Sequence, residues 1–256
     1  MPGRPIRAIL FDLGGTLIRY DHMGISRAFW WGARSSYRYL CSLGYRPGSY
    51  WSYALSSLIR LRWELLRSGW KGRDFNALEL FKHIGSGKGM CLSEVQWEEL
   101  AWTWYEPLAR LAHTEPDLQT TIKILSDQGL SLGVLSNTFI PACCLDRHLS
   151  HLGLLGFFAV RLYSYQYPFR KPDSRIFLAA AGQLGHQPQD IMFVGDRLDW
   201  DIWPALRLGM RAVLLAPDKG RSVRSALSSG AMQITAISQL PALVAQINNA
   251  CNSHCA

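Results

Sequence analysis

Apolar residues set two different rhythms along this chain. Residues 8–11 (AILF) form a short unbroken apolar run ending at Asp12 and a Gly14-Gly15 turn, which reads as a buried strand. From about residue 24 to residue 112 the apolar positions recur at helical spacing, and nothing alternates in the manner of a strand. YRPGS, SGWKG and GSGKG break this stretch into about four helices. TEPDLQTTIKILSDQG then predicts a helix with Thr114 as N-cap, acids in its first turn and Gly129 near its end.

Beyond that helix the two rhythms take turns. LSLGVLS, FFAVRLYS, IMFVGD and RAVLLA read as strands. Residues 141–151, DSRIFLAAAGQLG (capped by Asp173), DWDIWPALRLG and the C-terminal LPALVAQI read as helices. Alternating β and α units predict an α/β chain with a doubly wound parallel sheet covered by helices on both faces. Ligands of such sheets sit at the C-terminal ends of the strands.

Composition changes this picture in one place. The 256 residues carry a net charge of +8, and residues 19–88 hold twelve Lys/Arg against four acids, so the surplus lies there. Eight of the ten tryptophans fall between Trp30 and Trp104. A basic, Trp-rich segment inside a charge-balanced body marks a domain boundary, with 1–18 and 113–256 as one unit and 19–112 as a helical insert. Arg27, Arg34 and Arg38 share one helical face. That basic surface has two readings. It is a solvated face over tryptophans packed in the insert's own small core, or a docking face for an anionic partner. The sequence holds no clear nucleic-acid motif.

No apolar run approaches the roughly 20 residues that span a bilayer, so no transmembrane segment is expected. The N-terminal MPGRPIRAILF turns into a strand too soon for a secretory signal. The six cysteines show no framework spacing, and a reducing, cytoplasmic setting is expected. Cys143, Cys144, His148 and His151 lie at helical spacing on one element, whereas zinc sites draw paired ligands from two, so they read as ordinary helix residues. Cys251 and Cys255 read as a frayed tail.

Four stretches fall where an α/β sheet places chemistry. Asp12 ends the first strand, and Ser136, with Asn137 and Thr138, ends the second. Lys171, in RKPDSRIF, precedes a helix, and Asp196 follows Gly195 with Asp201 five residues on. Singly, these are a turn aspartate, a strand-to-helix turn, a solvated lysine and acids favoured by a helix dipole. Together, at one sheet edge, they supply a carboxylate nucleophile, a hydroxyl and an ammonium to hold an anion, and acids for a hard cation such as Mg²⁺.

In this order the set resembles the haloacid dehalogenase superfamily: DLGGT is similar to its first motif, LSN to its second, the lysine of RKPD to its third and GDRLDWD to its fourth. The resemblance implies a Rossmann-like core with an α-helical cap inserted after the first motif. It also implies a Mg²⁺-dependent phosphohydrolase acting on a phosphate monoester or acyl phosphate, small or part of a larger anion. On that resemblance Asp12 attacks phosphorus to form an aspartyl-phosphate. Asp196, an oxygen of Asp12 and the backbone carbonyl of Gly14 hold Mg²⁺, with Asp201 in the metal shell. Ser136 and Lys171 hold the phosphoryl oxygens, and Gly15, Thr16 and Asn137 complete the phosphate-binding set.

The chain departs from the pattern at three positions. Gly14 stands where the family's phosphatases carry a second aspartate as general acid and base, a role worth about 10²–10⁴-fold. Trp200 stands where a small polar residue is frequent, and Arg197 where serine is common. Dehalogenases of the superfamily also lack the second aspartate, but they lack the GD acid that Asp196 supplies here. Phosphonoacetaldehyde hydrolases need an early cap lysine, and no lysine lies between Asp12 and Trp70. Three outcomes remain for Gly14. Asp21 or His22 replaces the acid, or the substrate's leaving group needs none, or the chain is a catalytically weak or inactive binding or regulatory protein that uses its Arg/Trp-rich insert.

Overall fold

The computed structural model describes residues 4–20, 22–216, 226 and 228–253. At its centre, β1 (Ala8–Phe11) is buried along its whole length and bonded in parallel on both sides, to β4 (Ser131–Ser136) and β6 (Ile191–Gly195). The sheet runs in the order β5 (Val160–Tyr163), β4, β1, β6, β7 (Arg211–Leu215), β8 (Met232–Ile234), with every pair parallel. Successive strand residues point to opposite faces. Ile9 and Phe11 therefore join Val134, Val194 and Val213 in one apolar layer, while Ala8 and Leu10 join Leu135, Phe193 and Leu214 in the other. Helices α5 (Leu118–Asp127), α6 (Ala142–His151) and α9 (Leu240–Asn252) cover the first layer. Helices α7 (Ser174–Leu184) and α8 (Trp203–Arg207) cover the second. This is the Rossmann-like, doubly wound parallel sheet that the alternating pattern predicts.

Four helices, α1 (His22–Ser42), α2 (Tyr50–Lys71), α3 (Ala77–Ser86) and α4 (Glu94–Arg110), lie between β2 (Arg19–Tyr20) and β3 (Ala112–His113). Those two-residue strands pair antiparallel, Arg19 with His113 and Tyr20 with Ala112, so the chain leaves and re-enters the sheet through one narrow ribbon. Ser49, Asn76 and Ser93 cap α2, α3 and α4 through their side chains, as their short polar groups favour. α1 crosses α4 at Gly32, where a Cβ would stand 2.2 Å from the Trp104 carbonyl oxygen. Trp102 and Tyr105 of α4 join the sheet's first apolar layer, so this helix packs on the sheet domain as well as on α1. Asp74, between α2 and α3, accepts from Ser68 at 3.0 Å and from Arg170 at 2.5 Å, which ties the helices to the residue just before Lys171.

Several local expectations are corrected. α5 begins at Leu118, and Asp117 rather than Thr114 occupies its N-cap without a side-chain bond. The reason lies in Glu115, which pairs with Arg19 at 3.3 Å and accepts from the Ile237 amide at 2.7 Å, so its acid is spent on tertiary ties. SGWKG does not break a helix until Gly72, whose left-handed φ of +63° ends α2. β5 starts at Val160 because Leu155–Phe157 close a 3₁₀ turn, and the helix expected at residue 199 opens with a π turn at Leu198–Ile202. The strands β2, β3 and β8 have two or three residues each, too few to show a period. Cys251 is buried on α9 rather than frayed, and Cys255 lies outside the described residues. The tryptophans are not all packed inside. Trp97 and Trp102 are buried, whereas Trp51, Trp63 and Trp70 are 69%, 57% and 78% exposed.

Candidate active site

Parallel strands all point their carboxyl ends the same way, and the residues just past those ends meet in one place. Asp12 follows β1, Ser136 closes β4, and Asp196 follows β6. With Gly14, Asn137, Lys171 and Asp201 they line a cavity of about 660 Å³. The loop after Asp12 is held tight by Ile18 N–H donating to Leu13 O and Gly15 N–H donating to Ile18 O. Gly15 has φ +91°, and a Cβ there would stand 2.3 Å from an Asp196 oxygen. Glycine at 15 therefore lets the first and fourth stretches touch.

Lys171 is the pivot. Its ammonium, 2% exposed, donates to Asp12 Oδ1 at 2.6 Å and to Asp201 Oδ1 at 2.6 Å. Asn137 clamps its backbone in both directions, with Nδ2 donating to Lys171 O at 2.8 Å and Oδ1 accepting from Lys171 N at 2.9 Å. Asp201 is held at both oxygens, because its Oδ2 accepts from the Arg197 amide at 3.1 Å. Thr16 is buried and turned toward Asp12 Oδ2 at 3.4 Å, and it is not among the described residues lining the cavity. Ser136, Asn137 and Gly15 do line it.

Three carboxylates share this space with one ammonium. Burial pushes Asp12 up to about 7, against the pull of Lys171, and Asp201 pushes the same way. Burial also raises Asp196, with Asp201 adding to it. Lys171 ends above its ordinary value. Burial alone would lower it, and the attraction of Asp12 and Asp201 more than offsets that. The site carries an excess of negative charge, and Asp196 Oδ1 is buried without any hydrogen-bond partner. One oxygen from each of Asp12, Asp196 and Asp201 lies within 4.8 Å of the others. An all-oxygen donor set with an orphaned carboxylate oxygen fits a hard divalent cation such as Mg²⁺.

Sequence reasoning missed part of the cavity wall. Arg19 and Tyr20 of β2 line it, because the β2–β3 ribbon brings them over the sheet edge. Arg197 and Trp200, which the sequence marks as departures beside Asp196, also line it, with the guanidinium 4.1 Å above the indole and 3.0 Å from Asp199. The Tyr20 hydroxyl lies 3.0 Å from that of Tyr105, which lies 2.9 Å from His148 Nδ1. Among the described residues, none from α1–α4 lines the cavity. Asp21 and the side chain of His22 lie outside the described residues. Position 14 has room, since a Cβ there meets nothing within 4 Å.

Residues 6–209 match the family model described as haloacid dehalogenase-like hydrolase. A glyceraldehyde 3-phosphate phosphatase of Methanopyrus kandleri is 36% identical over 104 residues, 41% of this chain and 44% of its own length. The other curated relatives matched also bear phosphatase names, and the chain spans about half the length of these relatives. Among solved structures, a phosphatase from Thermococcus onnurineus aligns with TM-score 0.58 at 23% identity, covering 93% of this chain and 98% of that one. A 2-haloacid dehalogenase from Pseudomonas syringae aligns with TM-score 0.60 at 24% identity, covering 94% and 99%. At such identities these two likenesses show the fold alone.

Proposed function

The chain belongs to the haloacid dehalogenase-like hydrolases, and on that premise we propose that it cleaves phosphate monoesters or acyl phosphates through Asp12, with residues 19–112 as its cap. One observation carries the reading. The Asp12 carboxylate, the Lys171 ammonium 2.6 Å from it and an unpartnered Asp196 oxygen converge on a single cavity. The phosphatase names of the curated relatives support it.

An Asp12 oxygen attacks phosphorus while the bond from phosphorus to the leaving oxygen breaks, giving an aspartyl-phosphate. Water then attacks that phosphorus, the bond to Asp12 breaks, a proton passes to solvent, and inorganic phosphate leaves with the carboxylate restored. Lys171 has three N–H donors, of which Asp12 and Asp201 take two, so the third serves a phosphoryl oxygen. The Ser136 hydroxyl stands beside it on the cavity wall. Asp201 positions Lys171 through Oδ1 and keeps lone pairs with which it could join the metal shell. Asp12, Asp196 and the Gly14 carbonyl would hold Mg²⁺, which when bound neutralises phosphoryl charge.

Gly14 offers no proton, so the leaving oxygen departs with its charge, and acyl and aryl phosphates should outrun alkyl ones. The same glycine favours a second reading, a weak or inactive binding relative. Phosphate release from aryl, acyl and alkyl phosphates, by the native chain and by Gly14→Asp, separates them. A steep fall in rate with leaving-group pKa is expected. Gly14→Asp should relieve it on alkyl substrates by up to about 10²-fold and change aryl rates little. Absence of phosphate release from every substrate with Mg²⁺ present leaves the binding reading. Equal, shallow slopes for both proteins mean another group already donates the proton.

A further inference from the structure

The second helix, α2, presents apolar side chains where a protein surface ordinarily presents polar ones. Trp51, Leu55, Ile59, Trp63, Leu66 and Trp70 are all more than half exposed. At 3.6 residues per turn they occupy one arc of roughly 120° along the full 22 residues, a length of about 33 Å. Arg60 and Arg67 edge the arc and Arg62 lies within it, all three exposed. Trp30 of α1 reaches Trp51 with ring centroids 6.2 Å apart, so the apolar strip runs on to α1, whose Arg27, Arg34 and Arg38 are exposed.

Most of the basic charges here are uncompensated among the described residues. Among the described acids of residues 19–88, Glu64 pairs with Arg67 at 3.7 Å, Asp74 with Arg170, and Glu79 with Lys82 at 3.3 Å. Arg27, Arg34, Arg38, Arg60 and Arg62 have no described acidic partner. At the C-terminal end of the strip Arg67, Lys71 and Arg73 line a separate cavity of about 380 Å³ together with Glu64 and Asp74.

We propose that α2 and the adjoining face of α1 lie flat on an anionic lipid bilayer, tryptophans and aliphatics in the headgroup–acyl boundary and arginines on lipid phosphates. A basic helix with Trp and Leu on one face and few acids has the composition of an interfacial helix. Indoles favour the water–lipid boundary because the ring is apolar and its N–H is polar. Charge decides between occupants. A second copy would set one surplus of arginines against another, whereas an anionic bilayer supplies an apolar phase and a layer of negative charge together. No helix among the described residues is long and apolar enough to cross a membrane, which leaves surface contact as the mode.

The test is co-sedimentation of the full chain with vesicles of phosphatidylcholine alone and of phosphatidylcholine mixed equally with phosphatidylglycerol. Binding to the mixed vesicles is expected, with affinity falling as salt rises. Each of Arg60→Gln, Arg62→Gln and Arg67→Gln should weaken it roughly fivefold. Trp51→Ser/Trp63→Ser/Trp70→Ser should abolish it at low salt while leaving thermal unfolding unchanged. No binding to the mixed vesicles overturns the proposal, as does binding that survives the triple Trp variant. Sedimentation velocity supplies the other overturning result: a dimer of the native chain that the triple Trp variant dissolves would make a second copy the occupant.

Discussion

The carboxyl edge of the sheet and the outer face of α1–α2 both concentrate charge and aromatic surface, and they do so in opposite ways. At the sheet edge Lys171 is buried between two carboxylates at 2.6 Å, and each group has a fixed direction. On α1–α2 the arginines stand in solvent, most of them without a described acidic partner, and the tryptophans of α2 lie open beside them. The same contrast runs between two helices of one segment, since α4 buries Trp97 and Trp102 while α2 exposes Trp51, Trp63 and Trp70. Fixed, buried charge acts at a point, where displacement of one atom matters. Exposed charge and apolar area act over a surface, where contributions are small and accumulate.

The largest expected effect tests the point-like region. Asp12→Asn keeps the shape and removes the proposed nucleophile, so phosphate release should fall to background with circular dichroism unchanged. Full activity in this variant would end the Asp12 mechanism and the contrast with it. Next in size is Trp97→Ala, which should lower stability by about 3–5 kcal/mol in urea unfolding, the cost of a large cavity in a packed helix interface. Trp97 also packs over Gly85, where a Cβ would meet its ring at 2.3 Å, so little can collapse into the void.

A third prediction concerns pH. Burial, with His151 adding to it, holds His148 down at about 4, and its ring faces Tyr105 of α4. The unfolded chain takes up a proton near pH 6.5 and the folded chain does not until about pH 4. Stability from this residue is therefore present above about pH 6.5 and is lost between there and pH 4, by up to about 3 kcal/mol. The difference in urea unfolding between the native chain and His148→Gln across that range should show the loss, because Asp12, raised to about 7, contributes with the opposite sign in both proteins.

Asp196→Asn should weaken Mg²⁺ binding by about tenfold or more, the scale of a charge-assisted contact, read as a smaller rise in Tm on adding Mg²⁺. The smallest effect closes the comparison. Trp70→Ala, at 78% exposure, should change stability in dilute solution by less than about 0.5 kcal/mol. A loss as large as that of Trp97 would mean the strip is already covered by another copy.

Asp12, Ser136, Asn137, Lys171, Asp196 and Asp201 were legible from the sequence because each follows a recognisable strand or opens a helix. Parallel topology then leaves their side chains one edge to share. The helical segment was legible as helices, with its charge surplus and its tryptophans counted. Arg19 and Tyr20 as cavity wall were not, since a ribbon of two-residue strands leaves no period to read.

Periodicity by itself determined the longer strands and helices and which of their faces are apolar, because backbone geometry fixes where each side chain points along its own element. Tertiary structure alone decided which apolar faces are covered. α2 and α4 both carry tryptophans at helical spacing, and only the packing of α4 against α1 and α6 separates buried from exposed. It also decided that Asp201 holds Lys171 and that Asp196 keeps an unpartnered oxygen, since hydrogen bonds between residues 30 apart depend on where two elements meet.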